Sequence, residues 1–273
     1  MKKSIPSRFD NLIGELDGLK FKDPHSPYPP DHVKIEKIIS YTRRILLFDV
    51  LEHFSSDAEG EGALLIGLYL LIKEVLNGFF SPSMAEETSL AILNRLSGIK
   101  AALLLDASAI IRGDPAATSI EEVAVCYPGF FALMVYRVAR LFYEKEVPYI
   151  PRMLTEYAHG TTGIDIHPGA KIGSCFCIDH GTGIVVGQTA EIGDRVRMYQ
   201  GVTVGAKSIV SDSDGLSARG NKRHPTIEDD CIIYAGATIL GGDTVVGRGS
   251  VIGGNVRLTH SVAAGSRIYY DKK

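Results

Sequence analysis

Histidines and aspartates in the second half of the 273-residue chain are the residues best suited to chemistry. His180 follows Asp179 and precedes Gly181 and Gly183, which leave room for a ligand. An imidazole, with an ordinary pKa of about 6.5, can take a proton from an alcohol at neutral pH. His180 is therefore a candidate general base, whereas we interpret His167 as a structural residue of a turn.

Other polar residues carry less weight when each is considered alone. Asp165 and Arg223 are ordinary corner or surface residues in isolation, and His224 directly follows Arg223. A zinc site needs ligands that converge on one ion, and no two of the histidines have the short same-face spacing that would provide them. We expect no metal site. The histidines compared are His159, His167, His180, His224 and His260.

The second half of the chain has a six-residue repeat, and the fold that this repeat predicts must position these side chains. One aliphatic residue recurs at each step, glycine is frequent nearby, and valine and isoleucine are enriched, which predicts a left-handed parallel β-helix with about eighteen residues per coil. Coils stack about 4.8 Å apart, so the two series predict about four coils. The series comprise Ile166, Ile172, Ile178, Ile184, Ala190, Val196 and Val202, and then Ile227, Ile233, Ile239, Val245 and Val251.

The first half of the chain instead has helical spacing of its apolar residues. Two capping boxes, Ser83 with Glu86 and Ser119 with Glu122, predict helix starts. The fold class is thus α+β: an all-helical domain over 1–152 is followed by a β-helix domain over 153–273 with a short C-terminal tail. The two series are out of phase, so an inserted loop over 205–225 must leave the β-helix and return to it.

Composition excludes several classes of function. The 29 basic and 32 acidic residues nearly balance, so there is no field to attract nucleic acid or an anionic membrane. The longest apolar run, Ala63–Ile72, is too short to cross a bilayer, and the N-terminus lacks the apolar stretch of a signal peptide. The four cysteines form no C-x-x-C pair. We expect a cytoplasmic protein with reduced thiols and no membrane partner.

A single β-helix column offers no cleft for a substrate. Clefts form when columns pack about a three-fold axis, so a homotrimer is the smallest expected assembly. The helical domain could join two such trimers end to end.

Several motifs together resemble those of serine O-acetyltransferases, a family of hexapeptide-repeat enzymes that transfer acetyl from acetyl-CoA to L-serine in cysteine biosynthesis. The run Ile178–Gly187 joined to Arg223-His224-Pro225 across the loop is specific to this family among hexapeptide acyltransferases. The resemblance covers about residues 105 to 255. Its other stretches are Asp114–Ala117, Asp165–Pro168, Gly201–Gly205 and Ala235–Gly241.

This resemblance implies a role for each residue of the site. His180 would be the general base and Asp165 its partner, although Asp165 lies fifteen positions earlier, three short of direct stacking in an eighteen-residue coil. Asp114 and Asp179 would bind the serine ammonium. Arg223 would bind its carboxylate, and His224 would complete the pocket from the adjacent subunit. A zwitterion does require anions at one end and an arginine at the other.

The resemblance also implies a co-substrate and partners. Acetyl-CoA would lie between two columns against Gly205, Ala206, Ala235 and Ala237, and L-cysteine would inhibit by occupying the serine site. The family's complex with O-acetylserine sulfhydrylase uses a C-terminal isoleucine, whereas this sequence ends in Lys273, so we expect no stable complex. Two alternatives remain open: a hexapeptide acetyltransferase acting on a sugar or another small hydroxyl compound, and a non-catalytic trimeric scaffold.

Overall fold

The computed structural model describes residues 16, 26–51, 60–207 and 221–270. Its N-terminal part is helical and its C-terminal part consists of short strands. The helices in the described ranges are α1 (His32–Leu46), α2 (Phe48–Leu51), α3 (Glu61–Leu76), α4 (Pro82–Leu93), α5 (Leu96–Gly113), α6 (Ile120–Cys126), α7 (Pro128–Glu144) and α8 (Ile150–Thr162). The predicted helical N-terminal region is confirmed.

Helix starts follow local capping chemistry. Ser119 caps α6 as predicted, and its Oγ accepts a hydrogen bond from the Glu122 amide at 3.1 Å. The start predicted at Ser83 is wrong. Ser81 caps α4 instead, because Pro82 at the first helical position has a fixed φ suited to a helix start and lacks the N–H that would go unpaired there.

The fourteen strands of the described ranges form three parallel sheets that are the faces of a left-handed β-helix, so the predicted fold is confirmed. Sheet A has the order β1-β4-β7-β10-β13, sheet B has β11-β8-β5-β2, and sheet C has β14-β12-β9-β6-β3. The strands are β1 (Asp165–Ile166), β2 (Lys171–Ile172), β3 (Cys177–Asp179), β4 (Val185–Val186), β5 (Glu191–Ile192), β6 (Arg197–Tyr199), β7 (Thr203–Gly205), β8 (Thr226–Ile227), β9 (Ile232–Ile233), β10 (Thr238–Leu240), β11 (Val245–Val246), β12 (Val251–Ile252), β13 (Arg257–Leu258) and β14 (Arg267–Ile268).

The column has about five coils rather than the predicted four. The added coil contains β13 and β14, and Leu258 is buried in it. The prediction missed this coil because its aliphatic residues depart from the strict six-residue period. The predicted loop lies mostly outside the described residues, which resume at Asn221, and so does the end of the tail, Asp271–Lys273.

Two of the three corners of the coil are built by residues with left-handed backbone angles. The corner between sheets B and C has one such residue in every coil, and from the second coil onward its amide donates to a carbonyl of the preceding coil. These residues are Cys175, Arg195, Asp230, Gly249 and Gly265. The corner between sheets C and A has the equivalent set Gly163, Gly183, Gly201, Gly236 and Asn255. Stacked left-handed residues of this kind turn the chain tightly without breaking the backbone ladder.

The helical part is fixed to the first coil through buried polar contacts. Asp106 of α5 forms an ion pair with Arg137 of α7, and its Oδ1 also accepts the Phe176 amide at 3.0 Å. Arg137 donates to the Gly173 carbonyl at 2.8 Å. This cluster positions the C-terminal end of α5 against the β-helix. The combined stretch Pro82–Gly113 is long and apolar enough to cross a membrane by length and composition, and it contains Asp106 of the buried ion pair.

Candidate active site

His180 lies on an expanded corner between sheets C and A. Asp165 pairs with Val185, twenty positions later, whereas Val185 pairs with Thr203, only eighteen positions later. The coil that contains His180 is therefore two residues longer than the next. The extra length lies between β3 and β4, where His180 has a φ of 57° and Gly181 one of 90°. The His180 side chain is 73% exposed as a result, a position suited to reaching a bound substrate.

Two carboxylates lie beside this corner. Asp179 Oδ1 is 3.7 Å from His180 Nε2, and His180 is also within electrostatic reach of Asp114. Asp114 Oδ2 accepts a hydrogen bond from the Tyr127 hydroxyl at 2.7 Å, and this bond is the main cause that lowers the Asp114 pKa. The same bond raises the pKa of Tyr127 to about 12, so the phenol stays protonated. We call Asp114, Tyr127, Asp179 and His180 the acidic cluster.

Arg197 links the acidic cluster to the β-helix. It lies on β6, where it pairs in register with Cys177, and its Nη1 donates to the Gly113 carbonyl at 3.0 Å. Gly113 is the last residue of α5, directly before Asp114. A Cβ at Gly113 would lie 2.2 Å from Arg197 Nη2, so the guanidinium fits only because this residue is glycine.

A second cluster surrounds His224 at the corner between sheets A and B. His224 is buried, and its Nδ1 accepts the Thr189 amide at 3.1 Å, which leaves the ring proton on Nε2. Burial, with nearby Arg223, lowers the His224 pKa to about 4. Burial lowers the His167 pKa to about 4 as well, assisted by Arg152 and Arg223. We call Arg152, His167, Arg223 and His224 the basic cluster.

A chain of hydrogen bonds fixes Arg223. Its Nη2 donates to Gln188 Oε1 at 2.7 Å, and Gln188 Nε2 donates to the Tyr143 hydroxyl at 3.0 Å. The Arg223 amide donates to Thr189 Oγ1 at 3.0 Å. The segment that leads from the inserted loop into β8 is thus held against the preceding coil, and the Arg223 guanidinium lies at the edge of sheet A.

Asp165 and His180 are not brought together within one chain. The Asp165 carboxylate lies 3.5 Å from Arg152 Nη1, on the first strand of sheet A, whereas the aspartate beside His180 is Asp179. Glu156 and His159 also lie near Asp165, with ligating atoms within 4.8 Å of one another. Such a group could hold a cation, but the Arg152 guanidinium already neutralises charge there.

The residues expected to contact acetyl-CoA lie in later coils of the β-helix than His180. Gly205 ends β7 in sheet A and Ala206 follows it, and both are half-buried. Ala235 is half-buried and Ala237 fully buried, on either side of the left-handed Gly236 at the corner between sheets C and A. The pair Gly205 and Ala206 and the pair Ala235 and Ala237 therefore lie on opposite sides of sheet A. They differ in solvent exposure, because Ala237 is fully buried and the other three residues are half-buried.

The sequence analysis missed several residues of the site, Arg152 among them. Tyr127 had only its place before Pro128 as a signal, and Gln188 lay unremarked inside a quoted motif. Arg197 is 84 residues from the carbonyl that it binds. Only strand register reveals such contacts. His167 has the structural role predicted for it, since its Nδ1 accepts the Gly169 amide at 2.9 Å.

The relatives of this chain share one name. No family model matches it. It is 55% identical over 184 residues to the plasmid serine acetyltransferase of Synechococcus elongatus, an alignment that covers 67% of this chain and 57% of that protein. The chain thus spans less than two thirds of that relative's length. It is also 45% identical over 157 residues to the serine acetyltransferase of Bacillus licheniformis, covering 58% of this chain and 68% of that protein.

Solved structures agree over nearly the whole chain. Entamoeba histolytica serine acetyltransferase 1 in complex with L-cysteine superimposes with a TM-score of 0.79 at 35% identity, covering 96% of this chain and 97% of that one. Soybean serine acetyltransferase complexed with serine gives 0.62 at 27% identity, covering 89% and 98%. The similarity therefore includes the helical part as well as the β-helix.

Proposed function

Since the chain belongs to the serine acetyltransferase family, we propose that it transfers the acetyl group of acetyl-CoA to the hydroxyl of L-serine, giving O-acetyl-L-serine and CoA. One observation supports this substrate above all. The acidic cluster and the basic cluster lie at the two opposite edges of sheet A. An amino acid zwitterion needs anions for its ammonium and an arginine for its carboxylate.

We propose that the two clusters form one site between adjacent copies of the chain. In a cyclic assembly, one edge of a face on one copy meets the opposite edge on the next, so a homotrimer creates three such sites. Asp165 of one copy could then meet His180 of the next, which removes the difficulty that they lie apart within a chain. The helical parts of two trimers could join into a hexamer.

In the proposed reaction, His180 takes the proton of the serine hydroxyl as the oxygen attacks the thioester carbonyl of acetyl-CoA. The carbon–sulfur bond breaks, and the CoA thiolate receives the proton from the imidazolium. Asp165 would orient the imidazole and stabilise its charged form. Asp114 and Asp179 bind the ammonium, and Arg223 binds the carboxylate with His224 beside it. No enzyme nucleophile is needed, so positioning of the two substrates supplies much of the rate.

Acetyl-CoA is the co-substrate that this family uses. We propose that its pantetheine arm follows the edge of sheet A past Ala235 and Ala237 of one copy and Gly205 and Ala206 of the other. Small residues there let a ligand approach backbone amides. The four free cysteines of the described part of the chain are compatible with a cytoplasmic protein.

Regulation by L-cysteine is part of the proposal. Cysteine differs from serine by a thiol in place of the hydroxyl, and an E. histolytica neighbour was solved in complex with L-cysteine. Cysteine would therefore compete with serine for the two clusters. Arg223→Ala should raise the serine KM and the cysteine inhibition constant together, and a change in only one of them would contradict a shared site.

A thiol-release assay tests the function directly. Purified protein with acetyl-CoA should release CoA thiol when L-serine is added, and release with sugar or other hydroxyl acceptors should be far slower. Faster release with a sugar would favour the alternative acetyltransferase, since a sugar has no use for the ammonium and carboxylate sites. Absence of release with every acceptor would favour the scaffold.

A further inference from the structure

Tyr127 occupies the junction between α6 and α7, where the chain bends sharply before Pro128. Its ring is half-buried, and its hydroxyl reaches back across the junction to Asp114 Oδ2 at 2.7 Å. The other oxygen of the same carboxylate, Oδ1, accepts the Ala116 amide at 2.8 Å. Both oxygens of Asp114 are therefore held by donors, which fixes the plane of the carboxylate.

A carboxylate held in this way can still bind a cation. Each oxygen can accept more than one hydrogen bond, so Asp114 keeps lone pairs for an incoming ammonium. Tyr127 has a single hydroxyl hydrogen, and the bond to Asp114 uses it. Asp179 lies close enough to affect Tyr127 electrostatically, so the phenol adjoins both carboxylates of the acidic cluster.

We propose that Tyr127 is a positioning residue that holds the Asp114 carboxylate in the orientation required to bind the substrate ammonium. The inference rests on the proposed function, because it takes Asp114 as the ammonium ligand. The hydrogen bond also lowers the Asp114 pKa, which favours the anionic form that a cation needs. Without the hydroxyl, the Asp114 side chain could rotate, and part of the binding energy of serine would be spent in ordering it.

The substitution that tests this role is Tyr127→Phe, which keeps the ring and its packing. We expect the serine KM to rise about tenfold, because a hydrogen bond to a charged group is lost. The kcat at saturating serine and the acetyl-CoA KM should stay within about twofold, since neither depends on the ammonium site. The thermal midpoint without ligand should fall only slightly, because the bond is already present in the free protein but lies near the surface, whereas the rise in that midpoint on adding serine should shrink.

Tyr157→Phe is the matched control. Tyr157 lines the same cavity of about 490 Å³ as Tyr127, and its hydroxyl has no hydrogen-bond partner among the residues that the structure describes. Its substitution should leave the serine KM unchanged. An equal rise in KM for both variants would show a general effect of the cavity and overturn the proposal.

A double-mutant cycle separates positioning from direct contact. If Tyr127 acts through Asp114, the serine KM of Asp114→Asn should be the same with and without Tyr127→Phe. Additive effects would overturn the proposal, and so would an unchanged KM for Tyr127→Phe in an active enzyme. Absence of serine-dependent turnover in the unmodified protein would instead contradict the proposed function, so the two failures are distinguishable.

Discussion

The Arg137 guanidinium binds both oxygens of the Asp106 carboxylate, at 2.7 and 2.9 Å. The Asp106 side chain is fully buried and that of Arg137 is 10% exposed. Arg137 also donates to Gly173 in the first coil, and Asp106 accepts from Phe176 there. One ion pair thus joins two helices to the β-helix, and α5, which ends directly before Asp114, is one of them.

Breaking this pair from one side should destabilise the protein strongly. Asp106→Ala leaves a buried guanidinium without its partner, and we expect a loss of about 3–5 kcal/mol in the free energy of unfolding. Urea unfolding at fixed protein concentration measures this. Lys100→Met, which breaks the exposed 2.9 Å pair with Asp49, is the control and should cost less than about 1 kcal/mol. Equal losses for the two variants would contradict the structural role of the buried pair.

His180→Asn should abolish most acetyl transfer without unfolding the chain. Asparagine tolerates the left-handed backbone at this corner, and the exposed imidazole has little packing to lose. Loss of a general base should lower kcat by at least about 100-fold. His260→Asn replaces another exposed histidine and should leave turnover unchanged. A His180→Asn enzyme with normal turnover would rule out the proposed base.

Mixed assemblies can show whether the site lies between copies. His180→Asn damages the acidic cluster and Arg223→Ala the basic one, so neither variant alone should show much activity at a serine concentration near the wild-type KM. Refolding the two together in equal amounts should restore about one quarter of wild-type activity, because that fraction of sites draws each undamaged edge from a different copy of a cyclic trimer. No recovery would mean that both clusters act within the same chain.

Gly113 offers a way to move Asp114 without touching it. Gly113→Ala would push the Arg197 guanidinium away from the Gly113 carbonyl, because its new Cβ would collide with Nη2. We expect a higher serine KM with little change in stability, since the colliding atom ends a flexible side chain. Gly98→Ala lies in the same helix, where an added Cβ meets nothing within 4 Å, and should raise the free energy of unfolding by about 0.5–1 kcal/mol with normal kinetics. A normal serine KM in Gly113→Ala would show that the Arg197 contact does not position the site.

Stability should depend on pH through the half-buried His167 and the buried His224. His167 and His224 have pKa values of about 4 in the folded state, below the ordinary value of about 6.5, so the unfolded chain binds more protons between these limits. The free energy of unfolding should therefore fall as pH drops from about 6.5 to 4, by about 1–2 kcal/mol for each histidine after allowance for solvent screening.

Urea unfolding of His167→Asn across this pH range isolates the contribution of His167 to the pH dependence of stability. Asparagine can still accept the Gly169 amide but does not titrate, so about half of the histidine-dependent slope should disappear. An unchanged slope would show that His167 is not a source of the pH dependence.

The repeat predicted the fold but concealed its irregularities. Ile178 and Ile184 continue a six-residue series, and both are buried. Each strand segment has two buried positions that are two residues apart. A two-residue insertion therefore shifts the six-residue series from the second buried position of one segment to the first buried position of the next, and the series continues unbroken. The buried position of β4 that corresponds to Ile178 of β3 is Val186, eight residues later, and Met198 is the residue in register with Ile178 in the next coil. The expanded corner that presents His180 was therefore invisible to periodicity.

A smaller insertion had a visible effect. The series predicted Val245 as an inward residue, but Val246 is the fully buried one, because the step from β10 to β11 is one residue longer. The site was harder to predict than the fold. The contact between Arg197 and Gly113 depends on how a helix end docks on a strand, and local sequence contains no signal for it.

Every change in coil length falls at an edge of sheet A. Strands of sheets B and C start six residues apart in all four coils that have both. The steps into and out of sheet A instead gain two residues at His180, one residue before β11 and a long insertion after β7. The B–C corner therefore keeps one length in each of those coils. For protein engineering, this makes the B–C corner a poor place for grafts, and the borders of sheet A the natural host for foreign loops. Among proteins with this fold, insertions and deletions should accumulate at the borders of sheet A, next to the active site. New substrate specificities should therefore arise by insertion at positions where the β-helix already tolerates extra residues.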